Sequence, residues 1–168
     1  MTSPLQNSLE RGIKNLMKIN YGTLRIICVG NRFIADDSAG PMVYDTLMKM
    51  EIPENITVFD GGLAGINLLN LIEGAKRVVF VDSVEGFAAQ GNVVILQISD
   101  VNKYIDDAFS HNAGLTYLFK VLSSVIDGPI PEIFIVGVEG RADKLLLQKA
   151  AEISIKIIEN GFKFGEEI

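Results

Sequence analysis

Leu24-Arg25-Ile26-Ile27-Cys28-Val29, then Gly30-Asn31-Arg32-Phe33-Ile34-Ala35-Asp36-Asp37, then Ser38-Ala39-Gly40-Pro41 decide how this chain is read. The first run is short, apolar and β-branched, as a strand covered on both faces should be. A helical pattern follows over 42–50, with Ser38 placed as N-cap, Pro41 in the first turn, and Val43, Leu47 and Met50 on one face. The loop between them ends in two adjacent carboxylates, which packing does not require. Two ionised groups about 4 Å apart near a surface repel by up to ~4 kcal/mol. A cation, a helix N-terminus or a shared proton should therefore offset Asp36 and Asp37.

Outward from this unit, strands are expected at 24–30, 56–60, 77–82 and 133–138. A fifth, less uniformly apolar, runs over 92–98 and reads as an edge strand. Helices fall between them. Residues 63–73 present Ile66, Leu69 and Ile72 and stop at Gly74. Residues 112–126 present Leu115, Leu118, Phe119 and Leu122 and break at Asp127-Gly128-Pro129. Residues 142–160 present Leu146, Ala150, Ile153 and Ile157 and stop at Gly161; β-branching in 153–158 also permits a strand, but length favours helix. The alternation implies βαβ units, a mostly parallel sheet and helices on both sides. Residues 1–23 precede this domain as an extension, in which Leu5, Leu9, Ile13 and Leu16 form an amphipathic helical face. Residues 24–168 form one α/β domain.

The 168 residues can enclose a substantial core, and 48% apolar content rules against disorder. No stretch nears the ~20 apolar residues of a membrane span, and the N-terminus lacks a secretory pattern. Cys28 stands alone, so neither a disulfide nor a cysteine metal site can be built within the chain. A soluble cytoplasmic protein is the default. A net charge of −6, without a Lys/Arg-rich run, argues against nucleic acid as a partner.

Ligands of open parallel sheets gather outside the carboxyl ends of the strands. That edge carries Asp36 and Asp37 after the first strand, Asp60 at the end of the second, and Asp82 at the end of the third, followed by Ser83 and Glu85. His111, the only histidine, precedes a helix. Asp37, Asp82 and His111 can converge there. Two carboxylates and an imidazole suit Ni²⁺, Zn²⁺ or Mn²⁺ and leave coordination positions open. Alternatively, two aspartates sharing a proton could activate a water for peptide hydrolysis. Each residue also has a plainer reading: Asp37 as a helix cap, Asp82 as a binder of loop amides, His111 as an ordinary surface or core histidine. No Gly-x-Gly-x-x-Gly or Gly-x-Ser-x-Gly motif appears, and Cys28 lies too deep in its strand to serve as a nucleophile with His111.

Gly30-Asn31 with Asp36-Asp37, Asp60-Gly61-Gly62-Leu63-Ala64-Gly65-Ile66-Asn67-Leu68-Leu69, Val79-Phe80-Val81-Asp82 and Ser110-His111-Asn112-Ala113-Gly114-Leu115 together resemble the hydrogenase maturation endopeptidases. That resemblance implies a three-layer α/β/α sandwich around a mostly parallel, twisted five-stranded sheet. It implies removal of a C-terminal extension from the nickel-loaded large-subunit precursor of a nickel–iron hydrogenase. It further implies that Asp37, Asp82 and His111 contact nickel held by the substrate, which serves recognition and catalysis; aspartic-type and metal-assisted cleavage both stay open. Asp36 and Glu85 would then be supporting groups. The sequence departs from the family pattern in Ser38 after the acidic pair, in the added residues 1–23, and in Val138-Glu139-Gly140-Arg141, which lacks the usual proline.

Two other readings stand beside it. A Mg²⁺-dependent phospho-acceptor receiver module also has an acidic pair and an aspartate ending its third strand. Against it, Gly30 to Ala35 intervene before Asp36, and only Arg141 stands where a lysine is needed. An inactive, protein-binding relative is the second.

Overall fold

The computed structural model describes residues 23–63, 65–98 and 113–163; the amphipathic face within 4–19 and His111 lie outside them. The order is β1 (Thr23–Val29), a 3-10 turn (Ala35–Asp37), α1 (Ala39–Leu47), β2 (Ile56–Gly62), a second 3-10 turn (Gly65–Leu68) running into α2 (Leu69–Ile72), then β3 (Ala75–Val84) and β4 (Val93–Gln97). It closes with α3 (Ala113–Val125), β5 (Glu132–Glu139) and α4 (Lys144–Asn160). The sheet runs β2-β1-β3-β5-β4. Every pairing is parallel except β4 with β5, which is antiparallel, with Ile95 opposite Val136.

Successive side chains of a strand point to opposite faces, and here both faces are covered. Ile26 and Cys28 of β1, Val79 and Val81 of β3, and Phe134, Val136 and Val138 of β5 pack with Val43 and Leu47 of α1 and Leu147, Ala150 and Ile157 of α4. Ile27 and Val29, Val78 and Phe80, and Ile133 and Ile135 pack on the other side with Ile72 of α2 and Leu115, Leu118, Phe119 and Leu122 of α3. Phe80 meets Phe119 edge-on at 5.4 Å between ring centroids, an arrangement that adds about 1 kcal/mol beyond area burial. The result is the three-layer sandwich expected of the continuous apolar runs.

Two details differ from the sequence reading. Residues 63–73 do not form one helix: glycines with positive φ at 62 and 65 break the chain into a 3-10 turn and one α turn. Ile66 is consequently exposed, while Ile72 is fully buried. The edge strand β4 is antiparallel because the connection 85–92 contains no helix, and a parallel crossover needs about a dozen residues or more.

At the amino edge of the sheet, two strand arginines cap helix ends. Arg25 Nη1 donates to the carbonyls of Leu71 and Glu73, each at 3.0 Å. Arg77 Nη1 donates to those of Ile158 at 2.7 Å and Glu159 at 3.1 Å, and its Nε pairs with Glu132 at 2.6 Å. Cations suit these C-terminal carbonyls. No described helix is long and apolar enough to cross a membrane.

Candidate active site

The carboxyl edge is organised by the loop from Gly30 to Ser38. Asn31 N–H donates both to the Asp37 carbonyl at 2.8 Å and to Asp37 Oδ2 at 3.0 Å. Asn31 Oδ1 accepts the Phe33 N–H at 3.0 Å, Asn31 O accepts that of Ile34, and Ile34 O accepts that of Asp37. The turn closes so tightly that a Cβ on Gly30, whose φ is +133°, would stand 2.3 Å from the Asp37 carbonyl oxygen. Asp37 is therefore buried, 8% exposed, and its carboxylate is fixed by its own loop.

Asp82 lies two residues before the end of β3 and is fully buried, with Oδ1 accepting the Ser83 N–H at 2.8 Å. Ser83 Oγ in turn accepts the Ala39 N–H at 3.2 Å, so the first amide of α1 is capped from the neighbouring strand. Ser38 occupies the N-cap position, as expected, but its hydroxyl donates to the Ala35 carbonyl instead of capping. The Ala39–Ser83 bond joins the residue two beyond Asp37 to the residue one beyond Asp82. Strand ends β1 and β3, adjacent in the sheet, thus bring the two aspartate segments together. Among the described residues, no three His, Cys, Asp or Glu side chains gather in a metal-holding group. His111 lies outside the described residues, so only the two carboxylates of the expected trio can be followed.

The repulsion foreseen between Asp36 and Asp37 is met by a different partner for each, the Asn31 amide for Asp37 and a guanidinium for Asp36. Asp36 faces solvent and pairs with Arg141 Nε at 3.1 Å. Asp60 is held by the Gly62 N–H and by Arg32, which pairs more closely with Asp45, at 2.6 Å. Hydrogen bonds to Asp45 first and Asp60 second push the Arg32 pKa up. Glu85 is exposed just beyond β3. Cys28 is fully buried, and desolvation, with smaller contributions from Asp60 and Asp45, raises its thiol pKa strongly. It is no nucleophile, as its strand position foretold.

Glu139 went unrecognised in the sequence. In strand order, β5 stands between β3 and β4, so the connection 85–92 must pass the end of β5. Glu139 ends that strand, is 4% exposed, and accepts three N–H groups of the passing chain: Gly86 at 2.7 Å, Phe87 at 3.1 Å and Ala88 at 3.3 Å. Two residues on, Arg141 holds Asp36. An acid closing an apolar strand was the available signal, and Ser83 directly after Asp82 was another.

The family model described as hydrogenase maturation protease matches residues 41–157. A Methanocaldococcus jannaschii protein named as a hydrogenase maturation protease is 29% identical over 121 residues, 69% of this chain and 75% of that protein. The hydrogenase 3 maturation protease of Escherichia coli is 28% identical over 116 residues, 68% of this chain and 70% of its own. Among solved structures, the hydrogenase maturating endopeptidase HybD of E. coli superposes with a TM-score of 0.69 at 22% identity, covering 83% of this chain and 94% of that one. The Thermococcus kodakarensis HybD structure gives 0.61 at 20% identity, covering 82% and 97%. These two structures carry the fold. The match from the first turn of α1 to the last turn of α4 carries more: this chain belongs to the hydrogenase maturation proteases, endopeptidases that process the C-terminal end of the nickel–iron hydrogenase large-subunit precursor.

Proposed function

We propose that the chain removes the C-terminal extension only from a precursor already loaded with nickel, and that Asp37, Asp82 and His111 meet that metal on the substrate. One observation carries the reading: two buried carboxylates, Asp37 in the turn that follows β1 and Asp82 near the end of the adjacent β3, are joined through the Ala39–Ser83 hydrogen bond. Amide hydrogen bonds from Asn31 and Ser83 fix the two carboxylates, and carboxylate oxygens held in place are suited to a divalent metal supplied by the substrate at the moment of recognition. Two oxygen donors, with an imidazole completing the set, fit nickel and leave it coordination positions for its own ligands.

With the precursor docked, the peptide bond next to the nickel is held against the carboxylates, so attack by water becomes effectively intramolecular. A carboxylate takes the proton of the attacking water, and a protonated carboxyl can return one to the departing amine. Nickel, when present on the substrate, adds Lewis acidity at this place. The Asn31 and Ser83 amides hold the two carboxylates in position, and Asp36 remains outside the set. The receiver-like reading is set aside by family membership; receivers also order their strands 2-1-3-4-5, unlike the antiparallel β4 edge here.

The test is to incubate the protein with the nickel-loaded precursor and with its nickel-free form. Cleavage of the loaded form alone is expected. Equal cleavage of both removes nickel as the recognition element, and cleavage of neither points to an inactive, protein-binding relative.

A further inference from the structure

We infer that Phe33 is a preformed anchor that docks an apolar patch of the precursor bordering its nickel. Phe33 is 94% exposed, and Ile34 beside it is 52% exposed. A single exposed apolar residue is ordinary, but Phe33 and Ile34 are adjacent and the loop tied to theirs exposes Leu63. Apolar surface is thus gathered at this edge, and the backbone that carries it is not left loose. The Phe33 N–H is held by Asn31 Oδ1 at 3.0 Å, and Asn31 is held by the Asp37 carboxylate and carbonyl. The backbone ordering entropy that a mobile loop would lose on binding is thus already lost in the free protein, leaving only the ring's own rotation to be fixed. Neighbouring Arg32 has its charge matched by Asp45 and Asp60, so no unpaired cation borders the ring on that side. Gly30 N–H to Gly62 O at 3.0 Å and Arg32 to Asp60 at 3.3 Å tie this loop to the one after β2, which exposes Leu63.

The occupant follows from position. The loop that presents Phe33 is the loop that fixes Asp37, four residues further on. Whatever brings a metal to Asp37 must bring its surrounding surface to Phe33. For this family that arriving body is the large-subunit precursor. The inference rests on the proposed role of Asp37, and it adds a contact separate from the metal. Rigid aromatic anchors that become desolvated dominate protein interfaces.

Phe33→Ala tests this with little risk to folding, because the ring touches almost nothing in the free protein. Ile130→Ala, at an exposed position just before β5 on the opposite edge of the sheet, serves as control. Affinity for the nickel-loaded precursor is measured by titration, and KM and kcat by cleavage. Phe33→Ala should weaken Kd and raise KM by about 10- to 30-fold, while kcat at saturation, Ni²⁺ binding and thermal midpoint stay as in wild type. Kd within twofold of wild type overturns the inference, as does an equal loss in Ile130→Ala. A wild type that binds the precursor and cuts neither form sinks the proteolytic reading while the Kd comparison still decides the anchor.

Discussion

Gly40 lies so close to Val29 that a Cβ built on it would stand 2.0 Å from the Val29 carbonyl oxygen, and 2.7 Å from that of Val81. The first turn of α1 therefore presses directly on the carboxyl ends of β1 and β3, and this contact seats the Asp37 loop beside Asp82. The obstructing atoms are backbone of two central strands, which cannot turn aside. Gly40→Ala should cost about 1–3 kcal/mol or more, well beyond an exposed helical Gly→Ala change, which usually stabilises. Urea titration reads the loss. A midpoint equal to wild type would mean that α1 can retreat without consequence.

Glu139 bears on the same edge from the other side. Its carboxylate replaces water for three amides of a chain crossing over β5. Glu139→Ala should lose about 1–3 kcal/mol and accelerate hydrogen exchange at residues 86–88 in particular. Glu139→Gln keeps one acceptor oxygen but turns an NH₂ group toward an N–H, so it should recover only part of the protection. Full recovery by glutamine would show that a single acceptor suffices.

Cys28 offers a pH-dependent check. Its buried thiol has a raised pKa, whereas in the unfolded chain it ionises near about 8.5. Above that pH the unfolded state has released this proton and the native state has not, so the native state binds more protons. Stability contributed by this group is complete below about pH 8.5 and falls as pH rises beyond it. Cys28→Ala should flatten the decline of stability between roughly pH 8.5 and 10.5 relative to wild type. The native thiol should also resist alkylation at neutral pH and react once the chain is denatured. Rapid labelling of folded protein would contradict the burial.

The strands were legible because β1, β3 and β5 are apolar on both faces, and burial on both faces writes an uninterrupted run into the sequence. Direction was less legible. Nothing in Val93–Gln97 says antiparallel; the signal lay in the short, helix-free connection before it. Asp37 and Asp82 were legible as edge residues because strand ends collect polar side chains, whereas the roles of Glu139 and Ser83 depend on neighbours from other strands. Glu139 clasps a chain that passes only because β5 inserts between β3 and β4. That order is a property of topology, and no local pattern encodes it.

The divergence of Asp36 and Asp37 gives the last prediction. Asp36 shares an exposed pair with Arg141, each side chain more than two-thirds exposed, and such pairs contribute about 0–1 kcal/mol. Asp37 is buried and held by Asn31. Asp36→Asn should therefore leave cleavage of the nickel-loaded precursor and any Ni²⁺ binding within about twofold of wild type. Asp37→Asn keeps an oxygen for the Asn31 amide, so the loop should persist, but it removes the charge proposed to face the metal. Binding by calorimetry should weaken by about tenfold or more, and cleavage of the loaded precursor should fail. The opposite ranking would transfer the metal-facing role to Asp36 and leave Asp37 as the loop clasp alone. Adjacent acids of the same charge are thereby told apart by burial and by partner, a solvent-exposed guanidinium for Asp36 and a loop amide for Asp37.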